Sequence, residues 1–270
     1  MITSQNHNGL SQMHWNIDPL FIKIGPFAIH WYGLFFVGGL LGGLYLFRKI
    51  CKREGRDPDM ADDLLLYLIV GILLGARLLH CFVYEPAFYL SHPMEIVKIW
   101  KGGLASHGGL IGALVALAIF SRKYRESFLW LLSRLSVVGA FFAVCVRIGN
   151  FFNSEILGKS SKLPWAVVFD RIDTLPRHPV QLYEAAAYLL ILLLMYLLYE
   201  VLSKRASTLL LPGIFFFSIF SARFFLEFFK VRQADYTLPI ALSVGQILSI
   251  PFILGGLLWI LYALYILRKE

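Results

Sequence analysis

The chain has 270 residues, 58% hydrophobic and 16% charged, with a mean hydropathy of +0.68 and a formal net charge of +8. That balance excludes an ordinary soluble globular domain and points to a polytopic membrane protein. The basic surplus comes without a long basic run or an aromatic–basic alternation, so it reads as the Lys and Arg excess of cytoplasmic loops rather than as a nucleic-acid surface.

Taken in chain order, the first 26 residues contain no basic stretch followed by an uninterrupted apolar core and a small-residue cleavage site, so no removable signal peptide is expected. Seven segments then reach the roughly 20 apolar residues that a spanning helix requires. They lie at approximately 27–47, 63–83, 104–121, 128–150, 180–200, 207–229 and 241–267. Lipid forces each to satisfy its own backbone hydrogen bonds, so all are expected to be helices. The third is short once its glycine-rich approach is set aside. The expected fold is therefore an all-α membrane protein, a single integral domain over 1–270 with seven transmembrane helices. Between the fourth and fifth helices, the 151–179 stretch carries Pro164, Trp165, Pro176 and charges of both signs, and reads as a small external loop subdomain or lid. The segments do not fall into the two matching halves of a repeat transporter. Cys51, Cys81 and Cys145 have neither CxxC nor metal-ligand spacing, so no disulfide framework is implied.

Charge asymmetry orients the chain. Arg48, Lys49, Lys52, Arg53 and Arg56 follow the first segment; Arg122, Lys123 and Arg125 follow the third; Lys204 and Arg205 follow the fifth; Arg268 and Lys269 end the chain. Short basic connections of this kind lie on the cytoplasmic side. The amino terminus and the 84–103, 151–179 and 230–240 loops are then expected outside, and the carboxyl terminus inside.

Polar residues inside apolar segments gather toward one leaflet. Tyr32 and His30 stand near the start of the first segment, and Arg77 and His80 near the outward end of the second. His107 lies in Gly102-Gly103-Leu104-Ala105-Ser106-His107-Gly108-Gly109. The fourth segment ends on Arg147-Ile-Gly-Asn150-Phe-Phe-Asn153-Ser-Glu155. His178, Gln181, Tyr183 and Glu184 open the fifth, while Arg223, Glu227 and Gln246 occupy the outward halves of the last two. Ionisable groups at such depth are costly unless they face a bundle interior or a wet cavity. Each also has a plain use: Arg223 and Glu227, four residues apart, suit an ion pair on one helix face. Arg77 suits snorkelling to headgroups, and the glycines around His107 suit close helix packing. Shared depth is what the plain uses leave unexplained. Guanidinium groups fork onto phosphate oxygens, and histidine accepts protons near neutrality. The residues alone thus suggest chemistry on a phospholipid headgroup, with the lipid arriving laterally, and do not name the acceptor. A transporter or flippase for an anionic lipid or solute is the alternative.

The run Arg147-Ile-Gly-Asn-Phe-Phe-Asn-Ser-Glu-Ile-Leu-Gly158 resembles the signature of bacterial prolipoprotein diacylglyceryl transferases. Further blocks follow in that family's order: Ile29-His-Trp-Tyr-Gly33, Gly75-Ala-Arg-Leu78, Trp100 to Leu110, Arg177-His-Pro-Val-Gln-Leu-Tyr-Glu184, Arg223-Phe-Phe-Leu-Glu-Phe-Phe229 and Leu242-Ser-Val-Gly-Gln246. The resemblance implies transfer of the diacylglyceryl group of phosphatidylglycerol to the lipobox cysteine of a prolipoprotein signal peptide, in the bacterial cytoplasmic (inner) membrane, with no metal or organic cofactor. It implies His107 as base for the incoming thiol, with Arg147 and Arg223 on the phosphate. Asn150, Asn153, Glu155 and Glu227 are then orienting or substrate-binding groups, and Tyr32 and His178 substrate contacts or proton relays. The chain departs from the family pattern at Ser133, Val146, Ile219 and Phe220.

Overall fold

The computed structural model describes residues 3–5, 11–231 and 242–269. Eight α-helices occur among them: α1 (Trp31–Arg53), α2 (Met60–Leu79), α3 (Pro86–Ser91), α4 (Ser106–Tyr124), α5 (Phe128–Phe152), α6 (Val180–Val201), α7 (Lys204–Leu226) and α8 (Val244–Arg268). Each of the seven expected segments is largely helical among the described residues, the first only from Trp31 onward and the last from Val244. Six helices are long and apolar enough to cross a membrane; α4 is not one of them. Its 19 residues open on Ser106-His107-Gly108-Gly109 and close on Arg122-Lys123-Tyr124, which dilutes the apolar run. The expected loop at 230–240 falls, beyond Val231, outside the described residues.

The all-α expectation needs correction. Among the described residues there are six short strands: β1 (Thr3–Gln5), β2 (Ser11–Trp15), β3 (Leu20–Ile24), β4 (Phe27–His30), β5 (Val167–Phe169) and β6 (Pro176–Arg177). Residues 27–30, expected to open the first span, instead form β4, because Gly25-Pro26 turns the chain back onto β3. The other four strands make a sheet in the order β1-β2-β5-β6, in which β2 runs parallel to β5. A parallel pair joins strands distant in sequence, so local pattern gave no sign of it. The 151–179 stretch is thus tied to the amino-terminal segment, and Trp15, Phe151, Val167 and Phe169 close a small apolar core beneath the sheet.

The chain divides into two compact units, 1–43 with 136–270, and 44–135. In the first, α6 packs on α7 and α7 on α8. Ser243 caps α8 by accepting from Gln246 N at 3.2 Å, while Gln246 Oε1 accepts from Ser243 N at 2.9 Å. This reciprocal pairing satisfies two of the unpaired donors at a helix start. In the second unit α2 packs on α4 through glycines spaced four apart. A side chain at Gly75 would meet the Gly112 Cα at 2.8 Å, and one at Gly71 would meet Ala116 Cβ at 2.6 Å. Small residues at this spacing let two backbones touch where lipid supplies no hydrophobic drive.

Candidate functional site

The signature begins on the last turns of α5 and continues past its end. There the backbone turns sharply: Ser154 and Ile156 adopt φ of 53° and 54°. A β-branched residue in that region is strained by about 1–3 kcal/mol. The turn folds Glu155 back over the helix end, its N donating to Asn150 O at 3.0 Å. Its carboxylate then accepts from Asn150 Nδ2 at 3.0 Å and Asn153 Nδ2 at 3.1 Å. Asn150 in turn accepts from Arg147 Nη1 at 3.3 Å, and Gln181, fully buried, donates to the Glu155 carbonyl at 2.5 Å. Four of the expected site residues are therefore joined in one hydrogen-bonded series by local geometry alone.

Long-range pairing extends the series. Val231 N donates to Leu157 O at 3.0 Å, Lys159 N donates to Phe229 O at 2.7 Å, and His178 N donates to Lys159 O at 3.0 Å. Residues 157–159 thus lie between the end of α7 and the approach to α6. A side chain at Gly158 would press into His178 and Val180, so this seam requires glycine. Arg177 donates to Gly158 O at 3.1 Å and pairs with Asp173, whose carboxyl it holds below the usual range.

The seam carries Lys230 inward. Its ammonium, on a residue 7% exposed, lies 2.8 Å from Glu184 Oε1 and 3.1 Å from Glu227 Oε2. The other Glu184 oxygen lies 3.2 Å from Arg147 Nε. Both Glu184 oxygens therefore face cations at contact distance, although neither contact has hydrogen-bond alignment. Glu227 also accepts from Ser243 Oγ at 3.2 Å. Gly245 leaves room for this carboxylate, since a Cβ there would stand 2.5 Å from Glu227 Oε1. The positive end of α8 adds to its stabilisation. The result is a run of alternating charge, Arg147, Glu184, Lys230, Glu227, contributed by α5, α6 and the end of α7.

Arg223 stands apart from this run. Glu227 falls in the tighter turn after α7 (Glu227–Phe229) and pairs with Lys230, so the i,i+4 pair that the spacing permits is not made. Among the described residues Arg223 has no ion pair or hydrogen bond, although it lies in electrostatic range of Tyr188, over whose ring the Arg147 guanidinium sits at 5.8 Å. Tyr32 is in electrostatic range of Glu155 and Arg147 and packs on Gly149. His178 Nδ1 is 3.3 Å from Tyr183 Oη, and its ring centroid is 5.1 Å from that of Phe229. Its polar contact is thus with the tyrosine rather than the charged run.

His107 belongs to the other compact unit, as the second residue of α4. It is half-buried and makes no hydrogen bond or ion pair among the described residues. Before it, the chain is fixed by Arg77, a residue 2% exposed. Arg77 donates to the carbonyls of Ile96 (2.9 Å), Gly102 (2.5 Å), Gly103 (3.1 Å), Glu95 (2.6 Å) and Lys98 (3.5 Å). Its guanidinium clamps the backbone instead of snorkelling. Glu95 also holds Lys98 Nζ at 2.6 Å and Lys101 Nζ at 2.8 Å. The Lys101 and Lys98 hydrogen bonds keep its carboxyl down to about 2. Ser133, one of the departures from the family pattern, accepts from Arg134, whose buried guanidinium pairs with Glu54. Position 133 thus serves a buried ion pair in this second unit.

Sequence reasoning named Glu184 only among the polar groups and missed Lys230. A lysine three residues after Glu227 was the available sign, and it looked like an ordinary flank of the following loop.

The family model for prolipoprotein diacylglyceryl transferase matches residues 19–262. The phosphatidylglycerol–prolipoprotein diacylglyceryl transferase of Tolumonas auensis is 50% identical over 250 residues, covering 92% of this chain and 96% of the relative. The protein of the same name from Chloroherpeton thalassium is 48% identical, covering 93% and 94%. That from Porphyromonas gingivalis is 39% identical, covering 92% and 93%.

Proposed function

Because the chain belongs to the prolipoprotein diacylglyceryl transferase family, we propose that it transfers the diacylglyceryl group of phosphatidylglycerol to the lipobox cysteine of prolipoproteins. A thioether forms between the cysteine sulfur and the glyceryl carbon, the bond from that carbon to the phosphate oxygen breaks, and glycerol 1-phosphate leaves. The thiol proton passes to a base, for which His107 is our assignment. A free thiol has a pKa near 8.5, so a nearby acceptor raises the fraction of the reactive thiolate.

One observation carries the phosphate assignment. Arg147 and Lys230 are neutralised by Glu184 and Glu227, whereas Arg223 has no anionic partner among the described residues. A guanidinium cannot shed its charge, so an arriving phosphate is the anion such a group lacks. Arg223 then binds the headgroup phosphate, and Arg147, which shares the neighbourhood of Tyr188 with it, is assigned with it to the charge on the departing phosphate oxygen. Asn150, Asn153 and Glu155 hold Arg147 in orientation, and Glu227 holds Lys230. Tyr32 and His178 are substrate contacts.

The same reading makes the protein a single integral domain of the bacterial inner membrane. Seven helices span, α4 included, with the amino terminus and the sheet-bearing 151–179 region outside and the carboxyl terminus in the cytoplasm. The short basic connections support this orientation. Phosphatidylglycerol arrives laterally from the bilayer, and the lipobox peptide reaches the outer side of the site. No observation favours the transporter alternative.

The test is direct. Purified protein, phosphatidylglycerol and a lipobox peptide should yield a lipidated peptide and glycerol 1-phosphate in equal amounts, read by mass spectrometry. A folded preparation that makes neither would overturn the reading. His107→Gln should lower turnover by about 100-fold or more; unchanged turnover would remove His107 as the base.

A further inference from the structure

The β3–β4 hairpin in the first compact unit lacks a partner that its chemistry demands. Its register pairs Ile22 with Ile29 and Ile24 with Phe27. Paired residues of an antiparallel ladder share a face, as do residues two apart on one strand. Ile22, Ile24, Phe27 and Ile29 therefore form one continuous apolar face, while Lys23 and Ala28 occupy the other. That apolar face is bare: Phe27 is 72% exposed, Ile24 59% and Ile22 44%. An isolated two-stranded hairpin is marginal in water, and four large apolar side chains on one side make the bare state worse.

The hairpin is nevertheless built deliberately. Gly25 takes a φ of 58° at the first turn position and Pro26 follows, which suits a two-residue turn of the II′ kind. Its base is fixed to the first turn of α1. Trp31 N donates to Pro19 O at 3.0 Å, and the Phe21 ring meets the Trp31 ring edge-on with centroids 4.6 Å apart. The hairpin is thus anchored on α1, a candidate spanning helix that itself exposes Leu34, Val37 and Leu41.

We propose that this hairpin is an interfacial wedge, its Ile22, Ile24, Phe27 and Ile29 face seated in the boundary between lipid headgroups and acyl chains. Two features select the bilayer over a protein partner. An extended peptide added to the hairpin edge would satisfy backbone groups and leave the apolar face uncovered. Lys23, on the opposite face, is directed to the anionic headgroups, as expected of an amphipathic interfacial element. The outer strand edges carry unpaired backbone groups, which hydrocarbon does not tolerate. Depth is thereby limited to the boundary. The inference needs only the apolar helices and the hairpin, and stands whether or not the transferase reading holds.

The experiment uses full-length protein in nanodiscs containing phosphatidylglycerol. In a Cys145→Ala background, where Cys51 and Cys81 are fully buried, a bimane label is attached at Phe27→Cys, Lys23→Cys or Lys162→Cys. The label at 27 should be quenched by lipid brominated near the carbonyl end of its acyl chain and shielded from aqueous iodide. Labels at 23 and 162 should remain open to iodide. Free access of iodide to position 27 overturns the proposal, and so does equal shielding at 23. Shielding at 27 without bromolipid quenching, present only with lipobox peptide or only with two copies per disc, would also overturn it by giving the face to that partner.

Discussion

Arg77 and Arg223 both stand near the end of an apolar helix and look alike in sequence, but their surroundings divide them. Arg77 donates to five backbone carbonyls of the 95–103 segment. Arg223 meets no acceptor among the described residues and lies beside a run whose acids already hold Arg147 and Lys230. A guanidinium saturated by neutral carbonyls is architecture, because its donors have no capacity left for a ligand. One without acceptors is available to an anion from outside. Arg147 falls between the two, with Nε facing Glu184 and Nη1 donating to Asn150.

Substitutions can break that ordering. Arg147→Ala should have the largest effect, since it removes a proposed phosphate contact and leaves Glu184 with one cation fewer. Product formation should be abolished, and stability should fall by about 3–5 kcal/mol, the usual result of breaking a buried pair. Retained turnover, or an unchanged unfolding midpoint in detergent, would contradict this. Arg223→Ala should lower turnover by roughly 100- to 1000-fold while leaving stability within about 0.5 kcal/mol. A large loss of stability there would mean that Arg223 is structural after all. Arg77→Met should reverse the pattern, destabilising by about 1–3 kcal/mol through orphaned carbonyls. Its KM for phosphatidylglycerol should stay unchanged.

The smallest effect concerns Glu95. Lys101 and Lys98 hold its carboxyl at about 2 against an ordinary 4.5. Because the folded value is depressed, the stabilisation is complete above the ordinary value and is lost as pH falls through about 2. Carboxyl NMR should therefore find Glu95 ionised at pH 4. A midpoint near 4.5 would show that the lysines do not hold it.

Most of the helical framework was legible, because seven apolar stretches have few other ways to bury their backbone polarity. The local half of the site was legible as well, since Arg147, Asn150, Asn153 and Glu155 sit within nine residues and one tight turn links them. What escaped was nonlocal. The parallel pairing of β2 with β5 joins residues more than 150 apart, and nothing in either strand marks its partner. Lys230 reaches the site only because backbone pairing between 157–159 and 229–231 draws it inward. The strand at 27–30 was hidden for a different reason: it runs directly into the apolar helix that follows, and the turn that marks it, Gly25-Pro26, stands before it.

The alternating charges come from α5, α6 and the residues just after α7, and Ser243 and Gly245 at the start of α8 complete the setting of Glu227. Synthesis proceeds from the amino terminus, so Arg147 is made before any of its ionic partners. A ribosome-bound chain stalled ahead of residue 180 would carry an uncompensated guanidinium and no competent centre. A chain cut before α8 would also lack Ser243 and Gly245, the groups that set Glu227.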